Sequence, residues 1–209
     1  MAIRAAARSK GTAAAREDAE LAADPESVAR AVCLRMLTGA PKTQAQLAEA
    51  LRRRGVPDDV AERVLDRLVD VRLIDDGAFA EAWVDTRHRG RGLARRALRA
   101  ELRQRGVDDE LVGSAVARID DDDEAATAAA LVARRLASTR NVPYDARVRR
   151  LAGMLARKGY PGGLALRVVR DALRAEQRSG VEEPFEAARF DADPFEAALL
   201  EAEPDDEDG

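Results

Sequence analysis

The chain has 209 residues, 46% hydrophobic and 35% charged, with seven aromatics and three isoleucines; it lacks the β-branched and aromatic stock of strands, which excludes an all-β or parallel-sheet enzyme. No apolar run approaches the roughly 18 residues of a membrane span, and Met1 to Lys10 offers basic residues without an apolar segment or cleavage site, so neither a membrane segment nor a secretory leader is expected. The net charge of −4 conceals a basic body, +7 over residues 26–180, and an acidic end, −11 over residues 181–209, an arrangement suited to an anionic or acidic partner for which the tail can compete.

Residues 1–25 show no steady helical stripe and read as a flexible N-terminal arm. A helical pattern starts at Pro25 and predicts a helix over about 26–38, with Val28, Cys33, Leu34 and Leu37 on one side and an end near Gly39 and Pro41. Thr43 is placed to cap the next helix, which carries Leu47 and Leu51 and closes at Gly55. Val60, Val64, Leu65 and Leu68 then recur at three- and four-residue steps in a third helix. Further helices are expected over 77–89, with Phe79 and Trp83 inward, and over 123–138, with Leu131 and Leu136 inward.

Internal repetition sets the architecture. Three stretches align without gaps on Gly55, Gly106 and Gly159: LAEALRRRGVPDDVAERVLDRL, LRAELRQRGVDDELVGSAVARI and LAGMLARKGYPGGLALRVVRDA. Leu47, Leu98 and Leu151 lie eight residues before the glycine, and Leu51, Leu102 and Leu155 four before. Val60, Leu111 and Leu164 follow five residues after it, and Leu65, Val116 and Val169 ten after. Each glycine supplies a left-handed helix end after a basic last turn, and Val56, Val107 or Tyr160 can pack back on the helix just ended. In the third copy Pro161-Gly162-Gly163 predicts a helix that starts later or frays. The reading is all-α: three tandem three-helix repeats at 26–75, 76–121 and 122–178, stacked as an elongated, curved array, with an acidic, disordered tail at 179–209.

The chain offers little for catalysis. Acid pairs at Asp58–Asp59, Asp75–Asp76, Asp108–Asp109 and from Asp120 to Glu124 stand where helices begin, so capping and dipole stabilisation account for them without acid–base chemistry. His88 stands alone among arginines and reads as a surface residue. Cys33 lies on an apolar face and reads as core; one cysteine and one histidine exclude a disulfide framework and a His/Cys zinc site, and argue for a reducing, cytoplasmic setting. Gly90-Arg91-Gly92 lacks the Lys-Ser/Thr of a phosphate-binding loop. No cofactor or metal is expected.

The basic run is different. Arg87, Arg89, Arg91, Arg95, Arg96, Arg99, Arg103 and Arg105 face one acid, Glu101, in the same stretch. With Leu98 and Leu102 inward, these arginines are expected to spread over an outer face that binds phosphates or an acidic protein surface. No aromatic lies among them for stacking on bases. In the tail, Glu183-Pro184-Phe185-Glu186-Ala187-Ala188 recurs as Asp193-Pro194-Phe195-Glu196-Ala197-Ala198, either as short helices for the protein's own body or as a motif for another protein.

CLRMLTGAPKTQAQLAEALRRRGV, VLDRLVDVRLIDDGAFAEAWVDTRHRGRGLARRALRAELRQRGVDDE and LAGMLARKGY resemble the RecX family of bacterial recombination regulators over about residues 26–176. The most specific part is the Leu-Ile-Asp-Asp…Phe-Ala entry at Leu73 to Ala80, followed by the arginine/glycine turn and the Glu-Leu…Gly-Val ending at Val107. Leu93 stands where the family commonly has proline, and Arg105 where lysine is usual. The resemblance implies three tandem three-helix repeats and no catalytic residue or cofactor. It also implies binding in the groove of RecA–DNA filaments, with inhibition of RecA ATPase and strand exchange; some members bind DNA directly. A monomer with no membrane association is expected. The alternative is a helical DNA-binding protein that acts by covering DNA.

Overall fold

The computed structural model describes residues 24–179, and every regular element among them is helical. The expected N-terminal arm, apart from its last two residues, and the acidic tail from Gly180 onward lie outside the described residues. The chain divides into two compact units between Phe79 and Ala80.

The first unit holds α1 (Pro25–Gly39), α2 (Gln44–Arg53) and α3 (Asp58–Asp70). Local chemistry defines the helix starts. The Asp24 carboxylate accepts from the Ser27 N–H at 3.0 Å, and Thr43 and Gln46 form a reciprocal capping box at 3.2 and 3.1 Å. Asp76 Oδ1 reaches across to accept from the Gln44 N–H at 2.9 Å, so this acid serves the start of another helix. The core joins Ala29, Val32 and Cys33 of α1 to Leu47 and Leu51 of α2 and Val60, Val64, Leu65 and Leu68 of α3. Leu34, expected inward, is 41% exposed: the buried stripe follows Ala29, Val32 and Cys33, with Met36 packed at its edge, and Leu34 falls outside that i, i+3, i+4, i+7 set. Burial pushes the Cys33 thiol up to about 11, consistent with a core side chain rather than a nucleophile.

The next helix, α4 (Asp76–Arg91), carries the chain into the second unit, which continues with α5 (Arg95–Gln104), α6 (Asp109–Val116) and α7 (Asp121–Leu136). A 3₁₀ turn (Ala137–Thr139), α8 (Tyr144–Arg157) and α9 (Gly162–Ser179) follow. Phe79 and Trp83 are buried, as expected. In α7 the inward positions are Glu124, Ala128 and Val132, whereas Leu131 and Leu136 sit half-buried at the edge of the core. The helix stops at Leu136 and tightens into the 3₁₀ turn, where Thr139 Oγ1 donates to the Leu136 carbonyl at 2.7 Å.

The repeated glycines behave alike. Gly55, Gly106 and Gly159 have φ of 73°, 76° and 89°. The N–H groups of Val56, Val107 and Tyr160 donate back to the carbonyls of Leu51, Leu102 and Leu155, each at 3.1 Å, while their side chains are buried. The third copy keeps this register: α9 begins at Gly162, three residues after its glycine, as α3 and α6 do. Proline and two glycines delay nothing, because Pro161 occupies an end position that needs no N–H donor, and its carbonyl accepts the first helical bond from Ala165 at 2.9 Å. Leu111 departs from its aligned partners at 37% exposure; Val112, Ala115 and Val116 form the inward face of the shorter α6.

Within the second unit, the Gly159 turn seats directly on the start of α5. The Ala94 N–H donates to the Lys158 carbonyl at 2.9 Å, and the buried Tyr160 hydroxyl donates to the Gly92 carbonyl at 3.1 Å. A Cβ on Gly159 would stand 2.7 Å from Ala97 Cβ and 2.8 Å from the Ala97 backbone nitrogen. Gly159→Ala should therefore destabilise the protein by roughly 3 kcal/mol, the sum of a left-handed backbone penalty and a clash with backbone that cannot yield. Gly153→Ala, inside α8 with only an Arg157 guanidinium nitrogen near at 3.6 Å, should stabilise by about 0.5–1 kcal/mol. Urea unfolding of both variants checks the pair; a neutral Gly159→Ala would refute the close seating.

Candidate functional site

The eight arginines of the basic run do not share one outer face. Arg87 is buried, with its guanidinium carbon 4.2 Å from the centre of the Trp83 ring and its Nε 4.0 Å from Glu101. Arg105 lies against the same ring at 3.8 Å, and Trp83 Nε1 donates to Glu101 at 2.8 Å. These two arginines therefore pack on the single buried indole of Trp83 inside the second repeat, where the desolvated ring face attracts the cations. Arg103 pairs with Asp109 at 2.6 Å. Besides Glu101, the acids that meet the run, Asp109, Asp121 and Glu124, come from downstream segments, which the local count of one glutamate does not register.

Arg95 is the most committed of the eight. Its backbone N–H donates to Glu124 Oε1 at 2.8 Å, its Nε and Nη2 donate to Glu124 Oε2 at 3.2 and 2.9 Å, and Nη2 also meets Asp121. Glu124 is 2% exposed, so one carboxylate both caps α5 and neutralises the side chain of its first residue. The hydrogen bonds to Glu124 and Asp121 hold the guanidinium protonated even more firmly than usual. Arg96 is exposed and Arg99 half-exposed on the remaining surface of α5.

Arg89 and Arg91, at the end of α4, point into a different environment. They line a groove of about 910 Å³ whose other walls are α7, the 3₁₀ turn and α8. Arg134 and Arg135 enter it from the last turn of α7, and Arg150, Arg157 and Lys158 from α8 and its C-cap. Among the described residues no carboxylate lines it. Leu131, Leu151 and Met154 supply an apolar floor, and no aromatic takes part. His88 borders the same space and is not a free surface group: Nδ1 bonds the Leu93 carbonyl at 2.9 Å and Nε2 meets Thr127 Oγ1 at 3.1 Å. Lys158 Nζ donates to the Arg91 carbonyl, and burial, with the charges of Arg134, Arg91 and Arg135, holds its ammonium below the ordinary lysine range. An anion in the groove would relieve that mutual repulsion.

Arg134, Arg135, Arg150, Arg157 and Lys158 escaped the sequence reading, although adjacent basic pairs (Arg134–Arg135, Arg149–Arg150, Arg157–Lys158) recur along α7 and α8. Separately each pair looks like an ordinary solvated helix face; convergence with Arg89 and Arg91 is tertiary. Among the described residues no group of His, Cys, Asp or Glu side chains suits a metal ion, and no helix is long and apolar enough to cross a membrane.

The division of the arginines has a measurable consequence. Arg95→Ala leaves the buried Glu124 charge unpaired and should cost roughly 3 kcal/mol or more in chemical denaturation. Arg96→Ala, one residue away and exposed, should stay within about 0.5 kcal/mol of the parent. Equal stability of the two variants would contradict the structural assignment of Arg95.

Comparison with known proteins places this geometry in a family. Models described as the RecX first, second and third three-helix domains match residues 29–68, 75–116 and 121–169. The protein named Regulatory protein RecX from Thermobifida fusca is 60% identical over 75% of this chain and 83% of its own length. The one of that name from Streptomyces coelicolor is 58% identical over 77% and 85%. The crystal structure of RecX from Lactobacillus salivarius shares the fold at a TM-score of 0.67, with 19% identity over 73% of this chain and 99% of that one. With all three domains matched in tandem and the identities this high, the chain belongs to the RecX family.

Proposed function

We propose that this chain is a cytoplasmic, non-catalytic regulator that binds RecA filaments on DNA and inhibits RecA ATPase, recombinase and strand-exchange activity. Through that it modulates homologous recombination, DNA repair and the SOS response. The observation that carries this reading is the cationic groove of the second unit, seven basic side chains around about 910 Å³ with no carboxylate on its walls, in a member of a family of regulatory proteins. Such a surface recognises phosphodiester backbone or an acidic protein surface through charge, and its lack of aromatics leaves bases unread. Inhibition then follows from occupancy: a body held on the filament opposes movements that hydrolysis and strand exchange require. Arg96 and Arg99 on α5 extend the basic surface outside the groove.

The same groove supports a second reading, a DNA-binding protein that covers DNA without a specific RecA contact. Salt separates the two, because binding to bare phosphate falls steeply with ionic strength and needs no RecA. In a titration against RecA on single-stranded DNA, substoichiometric protein should lower the rate of ATP hydrolysis; an unchanged rate across the titration would refute the proposal. Arg135, Arg150 and Arg157 are exposed, so their joint replacement by Gln should leave stability nearly unchanged. Filament affinity of that variant should fall by about tenfold or more at moderate salt, with a salt dependence shallower by about two to three ion equivalents. Undiminished filament binding would remove the groove from the mechanism.

A further inference from the structure

We propose that the acidic C-terminal segment beginning at Glu182 occupies the cationic groove of its own chain, as an internal competitor for whatever anionic partner the groove takes. Three observations converge on it, and none depends on the identity of that partner.

The first is where the described chain ends. In the last turns of α9, the Glu176 carboxylate accepts from Arg140 Nε at 2.8 Å and Arg147 Nη2 at 2.5 Å. Arg147 in turn donates from Nε to Thr139 Oγ1 at 3.1 Å, and Thr139 is part of the groove wall. The chain therefore leaves α9, at Ser179, from the Thr139 end of the groove. Glu182 and Glu183 follow three and four residues later, within a reach of about 14 Å for extended backbone.

The second is charge. Residues 182–208 carry twelve acids against Arg189, while the groove walls carry seven cations and no acid. The acidic excess of residues 182–208 therefore complements the groove better than the Arg87–Arg105 run, part of which is internally neutralised by Glu101, Asp109, Asp121 and Glu124. The third is apolar matching. The repeated Pro-Phe-Glu-Ala-Ala segments bring apolar Phe185 and Phe195 among their acids, and the groove has apolar Leu131, Leu151 and Met154 among its cations, methionine being a side chain that adapts to irregular partners. A short tether gives an effective concentration of about 1 mM, so docking with a Kd of only about 0.1 mM would fill the groove roughly nine times in ten. The RecX domain models end at residue 169 and do not reach this segment.

Lysine chemistry tests the proposal, because the chain has only Lys10, Lys42 and Lys158, and Lys158 lines the groove. Treating the full chain at low salt with a zero-length carbodiimide should yield a monomeric product in which Lys158 is amide-linked to a carboxylate of residues 182–208. About 0.5 M salt should suppress it. In a full-length variant with the twelve tail acids replaced by Asn and Gln, acetylation of Lys158 by an uncharged reagent should accelerate by about tenfold relative to Lys42. Lys158 that acetylates readily yet gives no tail adduct would overturn the proposal. So would adducts joining two chains only, which would make a second copy the occupant. Acetylation of Lys158 at the same rate in parent and neutral-tail proteins would also refute it.

Discussion

The seating of the Gly159 turn on the first turn of α5 governs the rest of the second unit. Ala94, the residue before α5, has no side chain to cap it, yet a helix start leaves several N–H groups needing acceptors. Those acceptors come from far along the chain: the Lys158 carbonyl takes the Ala94 N–H, and the Glu124 carboxylate takes that of Arg95. Such an approach requires a residue without Cβ in a left-handed conformation, which Gly159 provides at φ 89°. The third repeat is thereby held to the second by backbone groups, and α8 is brought beside the end of α4. The groove is the space this contact leaves between α4, α7 and α8.

The same contact sorts the arginines by cost of burial. A guanidinium taken out of water needs a carboxylate or an aromatic face; Arg95 has Glu124 and Asp121, and Arg87 and Arg105 have Trp83. Each of these residues is tied to the integrity of the second unit. The groove cations are arranged otherwise, with burial and neighbouring like charges together depressing the Lys158 ammonium and no carboxylate among the lining residues. Such an arrangement concentrates positive potential in the groove. The arginines are therefore distinguished by their surroundings in the fold, not by position in the run.

Much of the fold was legible because it rests on local rules. Gly55, Gly106 and Gly159 mark left-handed helix ends, paired leucines four residues apart mark inward faces, and Thr43, Asp108 and Asp120 mark helix starts; all of these depend on spacing within one or two turns. Even the Pro161-Gly162-Gly163 stretch, whose composition argues for a late start, follows the register of its repeat, because packing of Ala165, Val169 and Leu173 outweighs weak helix propensity.

Fold class, the number of repeats and the presence of a basic body were thus set by the chain's own periodicity and charge. Which basic residues form a site was decided only in three dimensions. Nothing near Arg95 in sequence announces Glu124, 29 residues away, and nothing in the Arg134–Arg135 or Arg157–Lys158 pairs announces Arg89 and Arg91. Helical periodicity tells which side of a helix faces inward, since that depends on neighbours three and four positions away. It carries no information about which other helix lies opposite, because that is settled by backbone contacts between distant turns, here Gly159 against Ala97.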